Sequence, residues 1–314
     1  MNITKKLKIV LPLAFGGFLV WYSLSDISLE TLGKYFKEAN YSWILLGLIF
    51  GILSHLSRAY RWKFMLEPLG FKPKFVNSIL AVLVGYLVNL ALPRAGEISR
   101  ATVMSNYEKI PFEKGFGTIV AERIADLIMM FIIIALTLFV QFDFIYELLS
   151  KNFNAIKIAI GIPVLIIGFF IFRFFVNKAN SGFLLKIKTF VMGLIEGVTS
   201  IFKMKNKWAF IFHTVFIWAM YVAMFWAMVP AIEGLEIPFG GILIGFIAGG
   251  FAIAATNGGI GLYPIAVAGA LALFDIPTET ATAFGWILWT AQTAMIIVFG
   301  GLAFLLLPIY NKNK

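Results

Sequence analysis

Pro93-Arg94-Ala95-Gly96-Glu97-Ile98-Ser99-Arg100 follows the long apolar run Phe75 to Leu92 and leads back into Ile98 to Met104. A proline ends the preceding helix, and two arginines with a glutamate then follow at the bilayer boundary. Irregular polar backbone survives at membrane depth only where protein or water shields it. The stretch therefore reads as the tip and exit of a helical hairpin that enters and leaves the membrane on one side.

Composition sets the class around this hairpin. Of 314 residues, 61% are hydrophobic and only 13% charged, and the mean hydropathy is +0.91. A soluble core of this length has no room for so much apolar surface, so the chain is an integral membrane protein. The chain has no cysteine, which excludes disulfides and thiolate chemistry, and two histidines are too few for a histidine-rich metal site. The net charge of +10 lies mostly in short loops beside apolar spans, where it orients the chain, so nucleic acid is not an expected partner.

The first segment, Met1 to Leu24, begins with Lys5, Lys6 and Lys8 and ends at Trp21-Tyr22, which resembles an aromatic belt more than a cleavage site. It is expected to remain as a first helix. Further apolar stretches run Ser42 to Ala59, Phe75 to Leu92, Thr118 to Val140, Ala155 to Phe175, Trp208 to Pro230, Gly240 to Ala255, Leu262 to Phe274 and Ala281 to Pro308. A spanning helix needs about 20 apolar residues, so the shorter pieces become two re-entrant hairpins, 75–105 and 239–274. The expected fold is an all-α polytopic membrane protein with about six spanning helices plus two re-entrant helical hairpins. Residues 1–314 form one membrane domain: first helix and amphipathic connector (1–40), repeat one (41–176), basic amphipathic connector (177–206) and repeat two (207–310). Lysines and arginines then gather on one side and acidic residues on the other, which places both termini in the cytoplasm of a plasma (inner) membrane.

The halves echo each other. Trp43 and Trp208, Gly85 and Gly249, Ile110-Pro111 and Ile276-Pro277, and Phe116-Gly117 and Phe284-Gly285 recur in the same order, 164 to 168 positions apart. An odd number of crossings separates the two copies, so the second should be inverted, an architecture transporters use to expose one central site alternately. Two packed structural hairpins would leave the same signature.

Charged and polar residues concentrate in the first copy. His55, Arg58 and Trp62 share a helical face and Arg61 lies near Arg58; arginine forks suit phosphate or carboxylate. Interfacial anchoring explains Arg61 and Trp62 equally well. Asn89 can bond backbone freed at the break, Gly96 permits close approach, and Glu97 can neutralise Arg94 or Arg100. Glu122 and Asp126 lie one turn apart, with Arg123 pointing about 100° away. Ionisable groups at membrane depth are functional candidates, and a structural charge network competes with that reading. In the second copy, Thr256-Asn257-Gly258-Gly259-Ile260-Gly261 occupies the corresponding tip. Its backbone N–H groups suit an anion, while its glycines equally suit tight packing.

Arg58-x-x-Arg61-Trp62, Asn89-x-x-x-Pro93-Arg94-x-Gly96-Glu97-x-x-Arg100, Glu122-Arg123-x-x-Asp126 and Gly258-Gly259-x-Gly261 together resemble the lysylphosphatidylglycerol synthase transmembrane family, or flippase-like domain proteins. The resemblance covers nearly the whole chain. Relatives often carry a proline-rich entry to the glycine turn and a glutamate after it, where this chain has Thr256-Asn257 and Leu262-Tyr263-Pro264. It implies a domain that moves a lipid between leaflets, here without the cytosolic aminoacyl-transferase domain of the bifunctional members.

The expectation is a flippase or scramblase-like protein for a phospholipid or related lipid. The candidate substrate-binding residues are Arg58, Arg61, Asn89, Arg94, Gly96, Glu97, Arg100, Glu122, Arg123, Asp126, Asn257, Gly258, Gly259 and Gly261. Membrane lipids, through their phospholipid headgroups, are the expected partners, a homo-oligomer is left open, and no cofactor, metal or aminoacyl-transferase activity is expected. A membrane-embedded enzyme using Glu122 or Asp126 on lipid phosphates, and a non-transporting membrane scaffold, are the alternatives.

Overall fold

The computed structural model describes residues 16–25, 27–92, 94–152, 185, 188, 192 and 204–312. The expected span Ala155 to Phe175, most of the connector 177–206, residues 1–15 and Pro93 lie outside them. The chain divides into two compact units, Met1–Glu122 with Trp208–Lys314, and Arg123–Lys207. Every described element is helical or a turn, and no strand occurs among the described residues. Four helices there are long and apolar enough to cross a bilayer, Tyr41–Leu69, Phe112–Val140, Lys207–Ala231 and Thr278–Tyr310.

In the first unit, residues 16–23 form α1. Helix α2 (Leu29–Glu38) is capped by Ser28, whose hydroxyl accepts from Thr31 N at 3.0 Å, and carries Glu30 in its first turn and Lys37 in its last, matching the helix dipole. Asn40 caps α3 (Tyr41–Leu66) in the same way, accepting from Ser42 N at 3.1 Å. A 3₁₀ turn containing Pro68, Glu67–Leu69, ends at Gly70, whose φ of 87° only glycine adopts without strain. The first hairpin follows as α4 (Phe75–Ala91) and α5 (Ala95–Glu108), and then α6 (Phe112–Val140) begins.

The second copy repeats this order. Helix α8 (Lys207–Ala227), a 3₁₀ turn at Val229–Ala231, the hairpin α9 (Phe239–Ala255) and α10 (Leu262–Ala272), and the long α11 (Thr278–Tyr310) correspond to α3 through α6. Helices α4 and α9 are each 17 residues long; at 1.5 Å per residue they reach about 25 Å, short of a hydrocarbon core of about 30 Å. Gly47 of α3 approaches Met228, whereas Arg61 further along α3 meets Thr214 and Phe210 of α8. The equivalent helices α3 and α8 are therefore antiparallel, so the second copy runs opposite to the first.

Small residues set the helix spacing. A Cβ at Gly300 of α11 would lie 2.7 Å from Leu87 Cβ, and one at Gly249 of α9 would lie 2.6 Å from the Tyr263 ring. Where lipid supplies no hydrophobic drive between helices, such close van der Waals contact holds them together. The apolar core gathers around the second copy, with Phe225 and Phe284 packed edge to face at 5.4 Å and Ile242, Val267, Leu271 and Leu288 buried around them. Asn77 at the start of α4 and Asn311 after α11 exchange reciprocal amide hydrogen bonds of 3.0 and 2.9 Å, and Asn77 also donates to Glu108 at the end of α5.

The second unit holds the remainder of α6 and α7 (Phe142–Asn152). In α7, Phe142 stacks on Tyr146 with ring centroids 6.2 Å apart.

Candidate functional site

Three arginines of the first unit converge on one carboxylate. Arg58 and Arg61, three residues apart on α3, share a face; Arg100 comes from α5 and Glu122 from α6. Arg58 Nη1 donates to Glu122 Oε1 at 2.6 Å, Arg61 Nη2 lies 3.1 Å from the same oxygen, and Arg100 Nη2 lies 3.2 Å from Oε2. Glu122 and Arg61 are 0% exposed, and Arg58 and Arg100 each 3%. Charges taken out of water cost several kcal/mol each unless paired with good geometry and further hydrogen bonds, and those bonds are present. Arg61 Nη1 donates to Thr214 at 2.9 Å, its guanidinium lies 5.3 Å from the Phe210 ring centroid, and Arg100 sits 4.4 Å from the Trp62 ring centroid. Trp62 Nε1 donates to Thr118 at 2.8 Å, completing a buried lining on α6.

This geometry corrects the anchoring alternative. Helix α3 continues to Leu66, seven residues beyond the apolar run that ends at Ala59, and Arg61 and Trp62 are fully enclosed by protein. The helix tolerates charge there because Glu122 neutralises it inside the fold. Asp126 and Arg123 belong to the second unit, where Arg123 Nη1 lies 3.6 Å from Asp126 Oδ2 across one turn of α6.

The two hairpin tips form the second feature. After α4, Arg94 adopts φ 60°, a left-handed conformation uncommon outside glycine, and its side chain is exposed, with no ion pair among the described residues. Gly96 N donates to Asn89 Oδ1 at 2.7 Å, so the amide of Asn89 satisfies backbone freed at the break. A Cβ on Gly96 would clash with Gly85 O and lie 2.6 Å from Asn89 Cγ, so the two arms of the hairpin cross at a pair of glycines. Glu97 is half-buried in the first turn of α5.

At the other tip, Gly258, Gly259 and Gly261 all have positive φ, 63°, 81° and 69°. Trp289 Nε1 donates to Gly258 O at 2.7 Å. A Cβ on Gly258 would lie 2.8 Å from Leu90 Cδ2, and one on Gly261 would lie 2.6 Å from the Leu19 backbone. The second tip thus meets the end of α4 and packs on α1. Its glycines serve close packing, and Asn257, half-buried, precedes them.

Several polar residues of this region stood out weakly in the sequence. Thr214 and Tyr221 lie seven residues apart on apolar α8, one face of the helix, and that spacing was a readable signal. Tyr221 shares a 3.1 Å hydrogen bond with Tyr86 and accepts a long one of 3.5 Å from Arg58. Ser57 shares one of 2.8 Å with His213. No group of three His, Asp or Glu residues arranged for a metal occurs among the described residues.

The comparisons with known proteins follow the same line. The chain is 34% identical over 106 residues to the UPF0104 membrane protein MJ1595 of Methanocaldococcus jannaschii, covering 33% of this chain and 32% of that one. It is 27% identical over 172 residues to the UPF0104 membrane protein PH1989 of Pyrococcus horikoshii, covering 52% and 47%. A 92-residue stretch is 28% identical to the glycosyltransferase AglD of Haloferax volcanii, 29% of this chain and 15% of that protein. The matches thus span less than half the length of these relatives. No solved structure matches the chain. The model of the lysylphosphatidylglycerol synthase TM region matches residues 9–301, and with that match across the buried arginine cluster and both broken hairpins, the chain belongs to this family.

Proposed function

We propose that this protein moves a phospholipid or related lipid between leaflets, as a flippase or scramblase. One observation carries the reading: two broken hairpins of inverted copies meet at their tips, beside an exposed arginine held in a strained backbone. Discontinuous helices at such a junction supply unsatisfied backbone dipoles for a polar cargo, and inverted copies can open alternately to either side. Arg94, Asn89 and the turn from Asn257 to Gly261 contact the headgroup. Arg58, Arg61, Arg100 and Glu122 form the charged wall behind it, with Glu97 as a further polar contact. The excess of lysine and arginine in the loops on one side supports an orientation with both termini in the cytoplasm of the plasma membrane.

Purified protein in liposomes carrying fluorescent phospholipids tests this. The expected result is accelerated loss of inner-leaflet fluorescence to an external quencher. Arg94→Gly suits the left-handed backbone and removes an exposed side chain with its charge, so it should keep the melting temperature while slowing lipid movement by about tenfold, the loss of one charge-assisted contact. Wild-type protein that leaves every tested lipid in its leaflet overturns the reading. A chemically altered lipid, seen by chromatography of the same samples, would favour the enzyme instead.

A further inference from the structure

Between α3, α4 and α8, beside the arginine cluster, lies a group of aromatic side chains. His55 packs against Tyr86 with ring centroids 4.4 Å apart and planes tilted by 37°, and Tyr221 meets His55 edge-on at 6.4 Å. Trp218 follows 6.2 Å from Tyr221, and Phe246 of α9 lies 6.2 Å beyond it. His55 is 7% exposed and Trp218 is 8% exposed. Neither His55 ring nitrogen, nor Trp218 Nε1, has a hydrogen-bond partner among the described residues. Buried polar groups without partners are uncommon in native proteins and call for a reason. Here three such atoms border one pair of hydrogen-bonded tyrosines.

The position in the fold is equally specific. The displacements that carry Trp43 to Trp208 and Tyr41 to Lys207, 165 and 166 residues, carry His55 onto Met220 and Tyr221. His55 and Tyr221 thus lie within one residue of equivalent positions in the two inverted copies, and their contact lies close to the axis that relates the copies. A cargo site shared by both copies belongs on that axis.

The chemistry of the lining narrows the ligand. A neutral imidazole offers one donor and one acceptor, tyrosine hydroxyls offer both, and indole donates. Flat aromatic faces with neutral donors and acceptors suit hydroxyl groups on a carbon skeleton. Arg58, hydrogen-bonded to Tyr221, adds positive charge at one end, which suits phosphate and disfavours a cationic headgroup. We infer that His55, Tyr86, Trp218 and Tyr221, beside Arg58, form a subsite for the uncharged, hydroxyl-bearing part of an anionic lipid headgroup, such as a glycerol or sugar esterified to the phosphate. The inference rests on the lipid-moving reading and names the headgroup class within it. The ligand reaches these groups when α9, whose Phe246 packs against Trp218, moves aside.

Native mass spectrometry of the wild-type protein with equimolar phosphatidylglycerol, phosphatidic acid and phosphatidylcholine tests the preference directly. Retention of phosphatidylglycerol about tenfold above both others is expected, the worth of one or two hydrogen bonds. Equal retention overturns the subsite. In liposomes, His55→Phe and Trp218→Phe keep an aromatic ring and remove the unpartnered atoms, so both should fold, Trp218→Phe with a modestly lowered melting temperature because phenyl is smaller than indole. They should slow phosphatidylglycerol about tenfold and leave phosphatidylcholine within about twofold. Equal slowing of both lipids, or of neither, overturns the subsite while leaving lipid movement standing. Wild-type protein that prefers phosphatidylglycerol in the spectrometer yet moves no lipid keeps the subsite and overturns the lipid-moving reading.

Discussion

Replacing Glu122 by Gln keeps the shape of the side chain and removes the one charge on which Arg58, Arg61 and Arg100 converge within 2.6 to 3.2 Å. With Glu122 at 0% exposure, no water can take over its role. Removing one partner of a buried ion pair costs about 3–5 kcal/mol, because the opposite charges stay buried after losing their shared carboxylate. For a chain of this size that corresponds to about 6–10 °C in melting temperature. Thermal unfolding of purified protein in detergent, followed by loss of the monodisperse peak in size-exclusion chromatography, reads this shift. The geometry also sets an order. Arg58→Met, Arg61→Met or Arg100→Met each leaves Glu122 with two guanidiniums, so each single arginine variant should lose less than Glu122→Gln. A Glu122→Gln protein that melts within about 2 °C of wild type, or an arginine variant that loses more, would refute the carboxylate as the hub.

Gly96→Ala should destabilise by about 1–3 kcal/mol and separate the arms of the first hairpin, since its Cβ meets Gly85 O and Asn89; Gly33→Ala on α2, where nothing lies within 4 Å, should be neutral or slightly stabilising in the same thermal assay. Asn77→Ala and Asn311→Ala break one reciprocal amide pair, so a double-mutant cycle by chemical denaturation should return a coupling of about 0.5–3 kcal/mol, and additive losses would count against the clamp. Gly261→Ala places a Cβ 2.6 Å from the Leu19 backbone at a φ of 69°, so it should loosen α1 and raise cleavage near residue 25 in limited proteolysis.

Much of the architecture was legible because membranes constrain helices strongly. Lengths and glycine breaks located both hairpins, and the recurrences between Trp43 and Trp208 or Gly85 and Gly249 anticipated the repeated order of elements. Charge was harder to place. Hydropathy stopped the span that became α3 at Ala59, since Arg58 and Arg61 look like the edge of a bilayer when read along one strand of sequence. Only Glu122, 61 positions beyond Arg61, explains why the helix continues. Asn89 was legible for a different reason: a single amide beside a predicted break has few other uses, and its bond to Gly96 N is local. Tyr86, Trp218 and Tyr221 were not legible as a group, because aromatic residues fill this chain and only the antiparallel packing of α3 and α8 brings these together.

The two copies share a frame and differ in chemistry at each position of the arginine cluster. The displacement between Tyr41 and Lys207 carries Arg58 and Arg61 onto Met224 and Ala227, and the equal displacement between Phe112 and Thr278 carries Glu122 onto Leu288. Aligning Ala95 with Leu262 carries Arg100 onto Val267. None of these counterparts is charged, and the Trp43–Trp208 and Phe116–Phe284 displacements, which give Ala223, Trp226 and Thr290 instead, bring no charge either. The base of the first hairpin is tied by Asn77 and Glu108, whereas in the second a Cβ on Gly241 would lie 3.3 Å from the Phe274 ring. Apolar packing is non-directional and tolerates sliding, while a buried charge network with three donors on one acceptor has a single low-energy arrangement. The first copy is therefore the rigid member of the pair and the second the one that can shift against it. A lipid path between them would keep its charged wall fixed and open by movement of α9 and α10, so disulfide cross-links tying α9 to α8 should arrest lipid movement more completely than links tying α5 to α3.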